Sequence, residues 1–238
     1  MNIALVGYGK MGKIIESIAI ARGHKVDVKI DMDNQNDWAL VKPGNVDVAI
    51  EFTGPHSALD NVKKCLEQGV PVVCGSTGWL DHYEEMVSLC KEKNGAFLYA
   101  SNFSVGVNIF FEVNKRLAAL MAAQPEYNVT LKEVHHTQKK DAPSGTAITL
   151  AEQVLEKIYR KKTWVNQKSA NAEELEILSE RLDPAPGTHH VKYHSAIDDI
   201  EIIHTAHSRD GFATGAVLAA EFLAGKKGVF SMKEVLGL

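Results

Sequence analysis

Three glycines near the amino end, in the run Gly7-Tyr8-Gly9-Lys10-Met11-Gly12, stand between a short apolar strand and an amphipathic helix. Asn2-Ile-Ala-Leu-Val6 precedes them, and Met11, Ile14, Ile15, Ile18 and Ala19 recur behind them at helical spacing until Arg22-Gly23 stops the pattern. A second strand, Val26 to Ile30, then delivers acidic Asp31, nineteen residues beyond Gly12. Few folds accept this order. It describes a strand–helix–strand unit that binds a dinucleotide. Gly7 permits the tight turn, Gly9 the close approach of a pyrophosphate, Gly12 the packing of helix on strand, and Asp31 accepts from ribose hydroxyls. Alone the glycine pattern is weak; its flanking elements make it a strong signal.

Alternation continues through the first hundred residues, with strands at 46–52, 70–74 and 96–100 and helices at 56–68 and 81–93. That order predicts an α/β fold with a doubly wound parallel Rossmann-type sheet. Ligands of such sheets bind at the carboxyl ends of the strands, so Thr53-Gly54-Pro55, Gly75-Ser76-Thr77-Gly78 and Ser101-Asn102-Phe103-Ser104 are expected around one crevice. From about Val105 the pattern changes to a helix at 107–121, a strand at 127–136, a helix after Pro143, a polar stretch at 161–186, and strands at 189–196 and 200–207. This predicts a second, α+β domain for substrate binding and oligomerisation over 105–208. Residues 209–238, a helix at 213–224 with a short tail, are expected to rejoin residues 1–104 in the dinucleotide-binding domain.

Composition excludes several functions. The chain has 238 residues, 45% of them hydrophobic, enough for two cores. With 26 basic and 30 acidic residues its formal charge is −4, so no overall field recruits nucleic acid. Cys65, Cys74 and Cys90 form no CxxC pair and suit reduced thiols of a cytosolic protein. Neither a signal peptide nor a membrane span is expected, which places the protein in the cytoplasm.

The chemistry concentrates in Glu133-Val-His135-His136-Thr-Gln-Lys139-Lys140-Asp141-Ala-Pro143-Ser144-Gly145-Thr146. Tyr127 to His136 alternates as a strand, with Glu133 and His135 on one face and His136 on the other, so the adjacent histidines have different tasks. Pro143-Ser144-Gly145-Thr146 opens a helix carried by Ile148, Leu150, Ala151, Val154, Leu155 and Ile158. Its free N–H groups, the Ser144 and Thr146 hydroxyls and the helix dipole suit a carboxylate or phosphate, and Lys139 and Lys140 add positive charge. Spacing by itself names no reaction.

Taken together, the chain resembles the 4-hydroxy-tetrahydrodipicolinate (dihydrodipicolinate) reductases nearly end to end. The resemblance rests on Gly7-Tyr-Gly-Lys-Met-Gly12, Phe52-Thr53, Gly75-Ser-Thr-Gly78, Asn102-Phe-Ser-Val-Gly-Val-Asn108, the Glu133–Thr146 run and Ser208-Arg209-Asp-Gly-Phe212-Ala-Thr-Gly-Ala216. It implies hydride transfer from NADH or NADPH to a cyclic dicarboxylic imine or its hydroxylated precursor in lysine and diaminopimelate biosynthesis, and a homotetramer built on the second domain. By position His135 resembles the catalytic acid/base and Lys139 the proton donor, while His136, Ser144, Gly145 and Thr146 would hold the substrate. Gly7, Gly9, Lys10, Met11, Gly12, Asp31, Phe52, Thr53, Gly75, Ser76, Thr77, Ser101, Asn102, Phe103 and Arg209 would line the cofactor. Some relatives follow the acidic residue with arginine, to hold the NADPH phosphate; Met32 stands here, which favours NADH.

Rival readings fare less well. A metal on Glu133, His135 and His136 would need ligands from opposite strand faces, and no third ligand stands at helical spacing, so none is expected. Cys74 ends a strand at the crevice, but no base is placed to activate it as a nucleophile. A nucleotide-sensing protein that had lost its chemistry would have no need of a proton donor beside an anion site. The stretch 161–186 fits no family position, and Gly187-Thr-His189 matches a recurrent Gly-x-His only loosely.

Overall fold

In the computed structural model, which describes residues 1–238, strand β1 (Asn2–Val6) sits second from the edge of a sheet and is buried on both faces. The chain continues through α1 (Lys10–Ala21), β2 (Lys25–Ile30), a 3-10 helical segment (Met32–Leu40), β3 (Val48–Glu51), α2 (Ala58–Glu67), β4 (Val72–Cys74), α3 (Tyr83–Glu92) and β5 (Ala96–Tyr99). Then follow α4 (Val105–Met121), β6 (Asn128–His135), α5 (Gly145–Leu155), β7 (Thr163–Val165), β8 (Glu174–Arg181), β9 (Gly187–His194), β10 (Asp199–Ala206), α6 (Asp210–Leu223), β11 (Gly228–Phe230) and α7 (Met232–Leu236). Two compact units result: Met1–Val105 with Asp210–Leu238, and Gly106–Arg209.

In the first unit the six strands run parallel in the order β11-β5-β4-β3-β1-β2. Alternation along β1 sends Ala4 and Val6 into a core with Val62, Met86 and Trp79, and Ile3 and Leu5 into another with Ile15, Val217 and Leu223. Both faces are therefore covered, as a parallel sheet requires. The α/β expectation is borne out. The carboxyl-terminal residues are more than a tail: β11 adds the sixth strand beside β5, and Met232 of α7 is buried in the second core.

The second unit is a sheet ordered β10-β9-β6-β8-β7, with β9 antiparallel to both neighbours and β6, β8 and β7 mutually parallel. Val129, Leu131, Leu175, Ile177, Val191 and Tyr193 face α4 and α5, which contribute Phe110, Ala118, Leu150 and Val154 to that core. Full burial of each such aliphatic side chain contributes about 1.5–3 kcal/mol. Residues 161–186, expected only as a polar stretch, hold two strands. Leu175, Ile177 and Ser179 alternate with Glu174, Glu176 and Glu180, a half-buried pattern whose polar face masks its strand character. No helix is long and apolar enough to cross a membrane.

Candidate active site

In the first unit, the turn after β1 opens onto a cleft of about 570 Å³ lined in part by Gly7, Tyr8, Gly9, Asp31, Phe52 and Thr53. Gly7 has φ +97°, and a Cβ there would lie 2.2 Å from the Phe52 carbonyl oxygen, so neither conformation nor space admits another residue. A Cβ on Gly12 would lie 2.3 Å from the Gly7 oxygen, which is how closely α1 packs on the turn. Gly9 faces open space. Exposed backbone at a helix start, with Asp31 at the end of the neighbouring strand, fits a pyrophosphate and its ribose. Lys10 is exposed and Met11 half-buried on the first turn of α1.

Beneath this cleft the carboxylate of Glu51 is wholly buried. Its Oε1 accepts from the Thr53 amide at 3.0 Å and from the Thr53 hydroxyl, and its Oε2 accepts from the Cys74 thiol at 3.1 Å. The Thr53 amide also donates to Ser76 Oγ at 2.9 Å, so the loops after β3 and β4 are tied together. Burial, with the charge of Glu51, pushes the Cys74 thiol well above its ordinary pKa, the reverse of what a nucleophile needs. Gly75 packs against the Phe52 ring, where a Cβ would come within 2.2 Å. Phe103 is buried, its ring 5.6 Å from that of Phe52. Thr77 and Ser101 are exposed and Asn102 half-buried; with Gly75, Ser76 and Phe103 they lie outside the lining of the cleft.

In the second unit, β6 carries Glu133 and His135 to the buried face and ends there, leaving His136 as the first residue of the following loop. The parallel neighbour β8 pairs its Arg181 with His135, and antiparallel β9 pairs its His189 with Glu133. Glu133 is the hub. Its oxygens accept from the Ser144 amide at 3.1 Å each, from the Ser179 hydroxyl at 2.7 Å and from Arg181 Nη2 at 3.3 Å. Burial alone would raise its pKa, but the hydrogen bonds from Ser144 and Ser179 outweigh that and hold it below the ordinary carboxylate range.

Burial drives the pKa of His135 down, against the pull of Glu133, and the charges of Lys139 and Arg181 add to the depression. His135 Nδ1 lies 3.4 Å from Glu133 Oε2 without a hydrogen bond, and its depressed pKa makes this at neutral pH a neutral ring beside a carboxylate. His189, its ring 5.0 Å from that of His135, is pushed down to about 3 by burial and by His135. Its Nε2 lies 3.2 Å from Ser144 Oγ.

Ser144 caps α5, its hydroxyl accepting from the Ala147 amide at 3.2 Å. Both its amide and its hydroxyl are thus engaged inside the protein, whereas Gly145 is exposed with open space where a side chain would be. What the turn leaves open is centred on Gly145. The Lys139 ammonium is held by the Asp141 carboxylate at 2.9 and 2.7 Å. His136 and Arg209 line a separate cavity of about 300 Å³ with Gln138, Asp183, Pro184, Pro186 and Ser208.

The donor atoms of Glu133, His135 and His189 lie within 4.8 Å of one another, so a third ligand does exist, across the sheet rather than at helical spacing. The donors that converge on Glu133 make it an acceptor hub, with an amide, a hydroxyl and a guanidinium where a metal would compete. Arg181, Ser179 and the pairing of Lys139 with Asp141 escaped the sequence reading. The signal for the first two was the alternation of Leu175, Ile177, Ser179 and Arg181.

Residues 1–103 match the family description "Dihydrodipicolinate reductase, N-terminus" and residues 106–236 match "Dihydrodipicolinate reductase, C-terminus". The chain is 50% identical to the 4-hydroxy-tetrahydrodipicolinate reductase of Christiangramia forsetii over 99% of its own length and 98% of the relative's. It is 34% identical to the enzyme of that name from Methanocaldococcus jannaschii, over 90% of this chain and 79% of the other. Dipicolinate-bound dihydrodipicolinate reductase from Paenisporosarcina sp. TG-14 shares its fold, with a TM-score of 0.78 at 22% identity over 98% of both chains.

Proposed function

Because this chain belongs to the dihydrodipicolinate reductase family, we propose that His135 and Lys139 carry the proton chemistry of its reaction, beside an anion site at the start of α5. The reaction is the reduction of 4-hydroxy-tetrahydrodipicolinate to tetrahydrodipicolinate in lysine and diaminopimelate biosynthesis. One observation carries the assignment: buried His135 ends β6, and the loop that joins it to the exposed Gly145 turn carries the Lys139 ammonium, held in place by the Asp141 carboxylate.

A bound nicotinamide supplies the hydride. Gly7, Gly9, Lys10, Met11 and Gly12 would hold its pyrophosphate, Asp31 the adenosine ribose, and Phe52, Thr53, Gly75, Ser76, Thr77, Ser101, Asn102, Phe103 and Arg209 the remainder. Loss of water from the 4-hydroxy ring leaves a conjugated C=C–C=N system, and hydride arriving at its C4 leaves negative charge on the ring nitrogen and the enamine carbon. The Lys139 ammonium offsets that charge and gives a proton to the enamine carbon, while the neutral imidazole of His135 accepts and returns a proton beside it. His136, Ser144, Gly145 and Thr146 orient the ring carboxylates, Ser144 through the position it gives the turn.

NADH is the preferred donor on this reading. Met32 follows Asp31 with 87% of its surface exposed, and nearby Lys29 is already paired with Glu16 at 2.5 Å. The division of labour is a dinucleotide-binding domain, 1–104 with 209–238, and a substrate and oligomerisation domain, 105–208, in a cytoplasmic homotetramer. The face of the second sheet turned away from α4 and α5 supports that assembly, with Ile203 53% exposed on edge strand β10. Purified protein given substrate generated in situ should consume NADH or NADPH. Consumption of neither removes the assignment.

A further inference from the structure

The guanidinium of Arg181, at the carboxyl end of β8, meets three acceptors around the Lys139 loop. Its Nε donates to the Lys139 carbonyl at 3.2 Å, and its Nη2 to the Asp141 carbonyl at 2.5 Å and to Glu133 Oε1 at 3.3 Å. Nη1 donates to its own strand, at the Glu180 carbonyl, at 2.8 Å. The two loop carbonyls flank the segment whose side chains form the Lys139–Asp141 ion pair. We propose that Arg181 is the positioning residue that presents the Lys139 ammonium, by fixing the backbone of residues 139–141 to the Glu133 hub. This rests on the reading of Lys139 as proton donor.

The loop has no strand or helix of its own between His135 and Gly145, and inside it only the Lys139 amide finds a backbone partner, the His136 carbonyl at 3.1 Å, so its course is fixed by side chains from outside. Arginine fits because its planar fork offers five donors in fixed directions, so that one side chain spans two carbonyls and a carboxylate. Lysine, a single charge on a flexible stem, cannot span them. The parallel pairing of β6 with β8 supplies the reach, since both strands end on the same side and His135 and Arg181 are in register. Asp141 then acts twice: its carboxylate holds the ammonium and its carbonyl anchors the loop.

The test compares Arg181→Lys and Arg181→Leu with the parent protein. Arg181→Lys is expected to fold as the parent does by circular dichroism, to lose kcat by roughly 10²-fold, the scale on which a misplaced group reduces turnover, and to keep its KM for the nicotinamide. Parental kcat in Arg181→Lys overturns the proposal, even if Arg181→Leu fails to fold. A second readout needs no turnover: acylation of Lys139 by an amine-reactive ester, followed by peptide mass spectrometry, is expected to quicken severalfold once the loop is released. An unchanged rate also overturns the proposal. If the parent itself consumes neither NADH nor NADPH, the functional reading fails while the acylation rate still decides the positioning role.

Discussion

Burial and a neighbouring carboxylate pull the His135 imidazole in opposite directions, and burial wins. A ring that stays neutral at pH 7 can pass a proton in either direction, which leaves the cationic role to Lys139. His135→Gln is expected to lower turnover by roughly 10²-fold, the usual cost of losing a general acid or base, and Lys139→Ala to be at least as damaging. Steady-state kinetics decide; near-parental turnover in both refutes the assignment. His189 has a different readout. Its ordinary pKa is 6.5 and its folded value about 3, so between those pH values the unfolded chain binds a proton that the native one refuses. Stability is therefore fully present above the unfolded value, falls as pH drops through the window, and stops falling below the folded value. Thermal unfolding at about pH 7 and about pH 4.5 should show a smaller loss of Tm in His189→Gln than in the parent. An equal loss would show that the buried ring is not the proton-linked group.

At the scale of elements, α5 turns on the two contacts of Ser144 and α6 on one close approach. The start of α5 is fixed by the Ser144 cap, worth about 1 kcal/mol in general, and by the Ser144 amide on Glu133. On α6, a Cβ at Gly215 would stand 1.7 Å from the Phe103 carbonyl oxygen, a backbone atom that cannot swing aside. Gly215→Ala should cost about 2 kcal/mol or more, the range of overpacked cores, read as a lower denaturant midpoint; an unchanged midpoint would mean that the helix shifts freely. The elements were unevenly legible. Periodicity placed β6, α1 and α5 because each has one strongly apolar face, and β1 because it is an unbroken apolar run buried on both. It missed β7, β8 and β11, which are short or carry glutamates on one side, and it set strand ends too wide where flanking apolar residues are buried in loops. Of the site, the residues sharing one stretch of chain, from Glu133 to Thr146, could be read directly. Arg181 and His189 could not be read with them, because only strand pairing brings them to Glu133, and pairing register is a tertiary fact.

For the molecule as a whole, the first unit is assembled from both ends of the chain, and β11 closes the edge of a sheet that β1 begins. Cofactor choice belongs at this scale, since it is a property of how β2, the 3-10 segment and α1 surround one end of a cleft. The Michaelis constant for NADH is expected to be lower than that for NADPH; the reverse order would assign the phosphate to one of the exposed lysines near the turn. The glycine pattern made this unit legible at once, whereas the route by which the chain returns to it shows no local mark beyond a helix. One arrangement bears on how the catalyst resets. The amide that starts α5 is spent on Glu133, so the pole of that helix already faces a resident negative charge before any dicarboxylate arrives. On the proposed placement, a ring with two carboxylates meets an attraction already partly cancelled, strong enough to orient it yet weak enough to let it go, and departure need not become the slow event of the cycle.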